Sequence, residues 1–453
     1  MDGFLRVPEN HPKLPEILDE LKLEKDGETF EIYEYNEEFG EVCIPRCYAT
    51  SFIGDTVYDM TSDGRHLDHT ENSLFKARDG QDIAIRDTLQ TIHSEGGSLL
   101  IAACGTGKTV MGAEIALKIG VSTCILVHKE FLAKQWEEAF RMLAPWITVG
   151  RMQRDVVDTG RTHDIVIAVT QSVVNSRRDY GDSFYDSFGL IICDEVHRYG
   201  AALWQKAITR FPARYRLGLT ATPSRQDGLW KVITKHISSS GPVLEASTLT
   251  PDVYVIKTDV KIPQKVWYKP WLDKKAQRAV LVTALASHVG RNEAVLRYII
   301  RAYNAGRKVL VISERRAQLD YFSQRLATEG MGADEVGFYV GGTKQAKLDI
   351  AAQKSIILST YQMASEGLNI PDLDTLIMAT PQNSIQQTVG RILRIFEGKG
   401  APVVLDFFDE KMELVLLKEG AEDLYDVDLS NPFEGGMEFR RRQYKKLRYT
   451  VHG

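Results

Sequence analysis

The sequence predicts an α/β protein: two tandem domains, each a parallel sheet wrapped by helices, behind a small α+β module. Three observations lead there. Short apolar runs recur along the 453 residues with amphipathic stretches between them, five in the first half and five in the second. A stretch of mixed composition over residues 246–290 separates the two sets. Residues 1–75 carry 18 acidic and 6 basic side chains, a net charge of −12 that leaves +7 on the remainder. The leading segment is therefore a different kind of module. The expected domains are 1–75, 76–245, 246–290 as an interdomain segment, 291–435, and a basic tail over 436–453.

In chain order, the acidic module should hold a helix near Pro15–Leu23. Two short strands should follow in "ETFEIYEYNEEFGEVCIPR", around a polar Asn36–Gly40 turn. The first set of buried strands reads "SLLIAA", "TCILV", "DIVIAV", "LIICDE" and "RLGLTAT". The second reads "KVLVIS", "EVGFYV", "SIILST", "TLIMAT" and "PVVLDF". Runs this short and this apolar are buried on both faces, as parallel strands are.

Composition excludes several classes. No apolar run reaches the length of a membrane span, and "MDGFLRVPENHPKLPEI" lacks the basic-then-apolar plan of a signal peptide. A cytoplasmic or nucleoid setting is expected, with no membrane partner. The five cysteines, an odd number without paired spacing, argue against both a disulfide framework and a metal site.

Chemistry begins at "IAACGTGKT". A phosphate-binding loop needs glycines where backbone meets phosphate, a lysine for the outer phosphate oxygens and a hydroxyl for Mg²⁺. Cys104, Gly105, Thr106, Gly107, Lys108 and Thr109 form such a loop between a strand and a helix, although Ala102 stands where the strict pattern has glycine. "LIICDEVH" then ends a buried strand in Asp194 and Glu195. Adjacent acids there suit one carboxylate holding a metal and the next activating water.

In order, "AACGTGKT", "DEVH", "GLTATP" and "QTVGRILR" resemble the motifs of superfamily 2 helicases of the DExH type. "RDGQ" is similar to that family's adenine-reading element, and "LVHKEFLAKQW" to its motif Ia. "VTQS" is similar to motif Ib, "VLVISERRAQL" to motif IV and "STYQMASEGLNIPDLDTLI" to motif V. The resemblance spans residues 76–410 and implies two RecA-like domains that use ATP and Mg²⁺.

It also implies roles. Lys108 and Thr109 hold phosphate and Mg²⁺, Asp194 holds Mg²⁺, Glu195 activates water and Gln81 contacts adenine. Arg391 and Arg394 reach the γ-phosphate, with Gln387 positioning water or nucleotide. His197, Thr220, Thr222, Glu366 and Gly367 couple hydrolysis to the strand track. Lys129, Thr170, Gln171, Ser313, Arg315, Thr360 and Gln362 are the nucleic-acid contacts.

"TATPSRQDG" and the motif V stretch look most like the repair and recombination branch, which includes xeroderma-pigmentosum-B-like and phage branch-migration helicases. The resemblance thus implies a 3′→5′ DNA helicase acting on forked or branched DNA in a host cytoplasm. Its alternatives are a duplex translocase within a larger complex, a nucleotide-switched binding module, and an RNA helicase. The acidic module gates the motor or docks a protein. Trp267, Tyr268 and Trp271 either stack on bases or pin the interdomain segment. Arg440, Arg441, Arg442, Lys445, Lys446 and Arg448 either grip duplex or form a solvated helix face.

Overall fold

The computed structural model describes residues 4–453 except 26–27, 49–58, 79, 104, 154–155, 175–179, 199–200, 222–229, 246–248, 264–265, 267–268, 270, 367, 369, 383–384, 395, 397 and 416–431. The chain forms two compact units, Met1–Ser247 and Thr248–Gly453. Among the described residues no helix is long and apolar enough to cross a membrane.

The first unit opens with strands β1 (Phe4–Pro8), β2 (Lys22–Lys25), β3 (Glu28–Glu31), β4 (Glu34–Asn36) and β5 (Glu41–Pro45), and a helix at Leu14–Glu20. β4 and β5 pair antiparallel, and β5 also pairs with β1. Their turn ends in Gly40 at φ +60°, a left-handed position that suits glycine. Val7, Ile17, Val42 and Ile44 do not close a core of their own. They share one with Phe184, Phe188, Phe211, Val232 and Ile237 of the following domain. Arg46 Nη2 donates to Arg214 O at 2.7 Å across the same seam.

From there the chain crosses the edge where the next sheet's strands begin. Ser62 bridges Ala213 and His66 bridges Val121. Ser62 N donates to Pro212 O at 2.8 Å, and Ser122 N to Arg65 O at 2.7 Å. Gly64, at φ +66°, lies so close to Gly189 that a Cβ on it would overlap the Gly189 backbone nitrogen.

The first RecA-like sheet contains β6 (Gly97–Ala102), β7 (Thr123–Val127), β8 (Val149–Gln153), β9 (Val156–Val157), β10 (Ile165–Val169), β11 (Leu190–Cys193), β12 (Tyr215–Thr220) and β13 (Val243–Leu244). Their order is β13-β6-β12-β11-β7-β10-β8-β9. Every pair is parallel except β8 with β9. Side chains alternate between two cores: Cys124, Leu126, Ile191 and Cys193 face one. Ile125, Val127, Leu190 and Ile192 face the other. That division explains why these strands read as unbroken apolar runs.

The second unit contains β14 (Asp252–Pro263), β15 (Val309–Ser313), β16 (Val336–Tyr339), β17 (Ile356–Thr360), β18 (Thr375–Met378), β19 (Val403–Val415) and β20 (Thr450–His452). The sheet runs β16-β17-β15-β18-β19-β14-β20, parallel throughout. Asp252–Pro263 of the segment expected between the domains belongs to this sheet, with Val253 and Val255, then Val260 and Ile262, buried along β14.

The basic tail forms a helix, Glu434–Lys446, and then β20. Arg440 is a core residue and no surface cation. Its Nε and Nη2 donate to Asp406 at 2.8 and 3.0 Å, and Tyr444 donates to the same carboxylate at 2.9 Å. Arg441, Arg442, Lys445, Lys446 and Arg448 are exposed. Trp271 is exposed, with Lys269 5.7 Å above its ring, while Trp267 and Tyr268 lie outside the described residues.

Candidate active site

The phosphate loop turns from β6 into the helix Lys108–Ile119. Gly105 and Gly107 take φ of +87° and +85°, so both glycines are required by backbone shape. Thr106 Oγ1 donates to Ala103 O at 2.8 Å, and Lys108 Nζ to Ala102 O at 3.1 Å. Thr109 is half-buried on the helix's first turn. Cys104 lies outside the described residues.

Gln81 is buried against this loop. Its Nε2 donates to Thr106 O at 2.7 Å, and its Oε1 accepts from Arg78 N at 2.9 Å. A Cβ on Gly107 would come within 2.9 Å of that Nε2, so glycine also makes room for the glutamine. The Gln81 amide thus ties the Arg78–Gln81 turn to the phosphate loop.

Asp194 and Glu195 leave the end of β11. Glu195 adopts φ +50°, a left-handed backbone for a non-glycine residue that costs on the order of 1–3 kcal/mol. Glu195 Oε1 stands 3.9 Å from Lys108 Nζ, and its Oε2 stands 3.4 Å from His197 Nδ1. His197 Nδ1 is also 2.9 Å from Thr220 Oγ1 at the end of β12. Lys108, Glu195, His197 and Thr220 therefore form one continuous polar chain across three motifs. Thr222 lies outside the described residues.

Trp136 was not singled out by sequence reasoning. It is fully buried, and its Nε1 donates to Asp194 Oδ2 at 3.0 Å. Its ring stacks on Phe140 at 6.2 Å and leaves no room for a Cβ on Gly112 of the phosphate-loop helix, which would lie 2.6 Å from Trp136 Cη2. The available signal was a large indole with a polar N–H in the middle of an apolar-faced helix, which when buried needs an acceptor. Burial and then the neighbouring Glu195 carboxylate push the Asp194 carboxyl up to about 7.

The nucleic-acid candidates divide by exposure. Lys129 sits at the start of the helix Glu130–Leu143, half-buried, and Gln171 is exposed. Thr170 is buried and donates to Val127 O at 3.1 Å, tying β10 to β7. In the second unit Thr360 is half-buried and Gln362 exposed. Ser313 is buried, donating to Gln318 Oε1 at 2.6 Å and accepting from Arg315 N at 2.9 Å. Arg315 Nε donates to Thr283 Oγ1 at 2.9 Å and its Nη2 to Ala279 O at 2.8 Å. The hydroxyls of Thr170 and Ser313 thus hold the scaffold, whereas Gln171 and Gln362 are exposed.

Arg391 and Arg394 follow the short helix Gln386–Val389, both half-buried. Arg391 Nη1 donates to Leu368 O at 3.0 Å, and Lys399 Nζ donates to Arg394 O at 2.7 Å. The side chains of Gln387 and Glu366, and all of Gly367, lie outside the described residues.

Residues 74–225 match the family of the type III restriction enzyme res subunit, and residues 290–396 match the helicase conserved C-terminal domain. A protein of Acanthamoeba polyphaga mimivirus named as an ATP-dependent RNA helicase is 31% identical over 389 residues, covering 84% of this chain and 73% of that one. A protein of Escherichia phage T5 named as a helicase is 26% identical over 314 residues, covering 67% of this chain and 65% of its own. Among solved structures, the DNA-bound ATP-dependent type ISP restriction-modification enzyme LlaBIII has a TM-score of 0.53 at 16% identity, over 83% of this chain and 30% of that one. With both domain families in sequence and a relative aligned over most of its length, the chain belongs to the superfamily 2 helicases and is an ATP-dependent helicase.

Proposed function

We propose that this helicase acts on DNA, moving 3′→5′ to unwind or remodel forked or branched substrates in replication, recombination or repair. The observation that supports the hydrolytic half of this reading is the succession Lys108, Glu195, His197 and Thr220, which runs from the loop lysine through the acid pair to the neighbouring strand end. The DNA half rests on the "TATPSRQDG" and "SEGLNIPDLDTLIMATP" variants of the family motifs.

In this reading Lys108 binds the outer phosphates while Gln81 holds the loop in shape and contacts adenine. Asp194 and Thr109, hard oxygen donors beside a phosphate site, fit Mg²⁺, and a cation there would hold the buried Asp194 in its carboxylate form. Mg²⁺ supplies neutralisation of phosphate oxygens. Glu195 takes the proton of the attacking water, a contribution of about 10²–10⁴ in rate. Arg391 and Arg394 stabilise the charge that develops on the γ-phosphoryl group, worth ~10³–10⁵, and Gln387 orients the water. Lys129, Gln171, Thr360 and Gln362, with Arg315, hold the phosphate backbone without reading sequence.

Two specific observations favour other readings. The restriction-subunit family over residues 74–225 favours a duplex translocase, and the name of the mimivirus relative favours RNA. One comparison decides among them: ATPase stimulation and strand separation on single strands, duplex, forks with either overhang, four-way junctions and RNA. The DNA helicase reading expects the largest stimulation on forked or branched DNA, with separation from a 3′ overhang. Stimulation by duplex without separation establishes the translocase, and stimulation by RNA alone establishes the RNA helicase.

A further inference from the structure

The segment leading from β18 to Arg391 and Arg394 carries four consecutive carbonyls, each accepting from a different side chain. Ala379 O accepts from Arg291 Nη1 at 2.5 Å, and Thr380 O from the Tyr361 hydroxyl at 2.6 Å. Pro381 O accepts from Arg278 Nη2 at 3.0 Å, and Gln382 O from Arg440 Nη1 at 2.7 Å. The Thr380 hydroxyl accepts in addition from Glu314 N at 2.9 Å.

The donors belong to four helices: Lys274–Ser287, Val289–Asn304, Tyr361–Glu366 and Glu434–Lys446. Three of them are themselves fixed by acids. Arg291 pairs with Asp409 at 2.7 Å, Arg440 with Asp406 at 2.8 Å and Arg278 with Glu314 at 2.9 Å. Loop carbonyls are ordinarily satisfied by water or by neighbouring backbone. A run of four held by buried or half-buried side chains is over-determined, and the backbone after it starts from a fixed point.

The chain then passes through the helix Gln386–Val389 to Arg391 and Arg394. Tyr361 lies between Thr360 and Gln362, and Arg391 Nη1 reaches back to Leu368 O just beyond the same helix. We infer that Tyr361 and Arg440 are positioning residues: by holding the 379–382 carbonyls they aim Arg391 and Arg394, and through Tyr361 the nucleic-acid contacts reach those arginines. The C-terminal helix is in this way a part of the hydrolytic apparatus. The inference rests on the proposed role of Arg391 and Arg394.

The test uses the full chain with Tyr361→Phe, which keeps the ring and removes one hydrogen bond, and Arg440→Lys, which keeps the charge beside Asp406 but loses the planar fork. Nucleic-acid-stimulated kcat should fall about ten- to a hundredfold in both, as for misplaced catalytic groups, with KM for ATP and Kd for single-stranded DNA unchanged. Arg391→Ala is the control for the underlying reading. If Arg391→Ala leaves kcat intact, the role of the arginine fails. If Arg391→Ala abolishes turnover while folded Tyr361→Phe keeps the parent kcat, the inference is overturned and the reading survives. A proportional loss of kcat and DNA affinity in Tyr361→Phe also overturns it, since that marks a structural role. Should Arg440→Lys fail to fold, Tyr361→Phe decides alone.

Discussion

Trp136 and Asp194, 58 positions apart, meet in a single hydrogen bond: the indole Nε1 donates to carboxylate Oδ2 at 3.0 Å, with both side chains buried. The indole lies on the helix whose first turn follows Lys129, so one rigid element touches both the candidate nucleic-acid edge and the candidate metal carboxylate. Trp136→Phe keeps most of the packing and removes the donor. Losing a hydrogen bond to a charged group is worth about 1.5–3 kcal/mol, so the Mg²⁺ concentration for half-maximal binding of a fluorescent ADP analogue should rise roughly tenfold. Binding of that analogue without Mg²⁺ should not change. Equal weakening with and without Mg²⁺ would refute the orienting role.

Glu195 is expected to serve turnover alone. Glu195→Gln should lower ATP hydrolysis by about 10²–10⁴ while ATP still binds, since the side chain stands 3.9 Å from Lys108 and is not part of the loop backbone. Filter binding and single-turnover hydrolysis separate the two effects; a matching loss of binding would remove Glu195 from the role of base.

Gly64 is required twice over, by its φ of +66° and by its approach to Gly189. Gly64→Ala should destabilise the first unit by about 1–3 kcal/mol, read as a lower denaturant midpoint of its transition. An unchanged midpoint would mean that the crossing segment is not packed as described.

His236 is buried, and burial followed by the nearby Arg216 charge lowers its pKa from 6.5 to about 3. Between those values the unfolded chain binds a proton that the native state refuses, so stability falls as pH drops below 6.5. The slope reaches at most about 1.4 kcal/mol per pH unit. His236→Phe should flatten the decline between pH 6.5 and 4 in thermal melts of the first unit; a parallel decline in parent and variant would assign it to other groups.

Arg291→Met leaves Asp409 charged and buried, which should cost about 3–5 kcal/mol. The double variant Arg291→Met/Asp409→Leu should recover most of that, because it removes the stranded charge. Chemical denaturation of the three proteins checks the recovery, and a double variant no more stable than the single one contradicts it.

Much of the architecture was legible because parallel strands advertise themselves. "LIICDE" and "TCILV" became β11 and β7, buried on both faces, and the ordered motifs located the phosphate loop and the acid pair. β14 stayed hidden because its buried residues alternate with Tyr254, Lys257 and Lys261, and the alternation changes phase between Val255 and Lys257. The crossing segment near the end of the acidic module was equally silent, since backbone hydrogen bonds made by Ser62 and Arg65 leave no apolar pattern. Arg440 looked like its exposed basic neighbours, and only the fold brings Asp406 to it. Gln81 and Trp136 show the same lesson at the site: residue type announces a polar group, but its partner is set by contacts distant in sequence.

The leading module and the first RecA-like domain share one hydrophobic core, and this has an electrostatic consequence. The net −12 charge of residues 1–75 is mounted on the body that bears the phosphate loop, so it travels with the nucleotide site as a fixed field. At physiological salt such a field decays over about 8 Å. A polyanion approaching within that range is repelled from one flank of the domain and turned toward its less acidic surfaces. Raising the salt should therefore relieve a repulsion at this flank while weakening phosphate contacts elsewhere, two opposing terms in one binding curve.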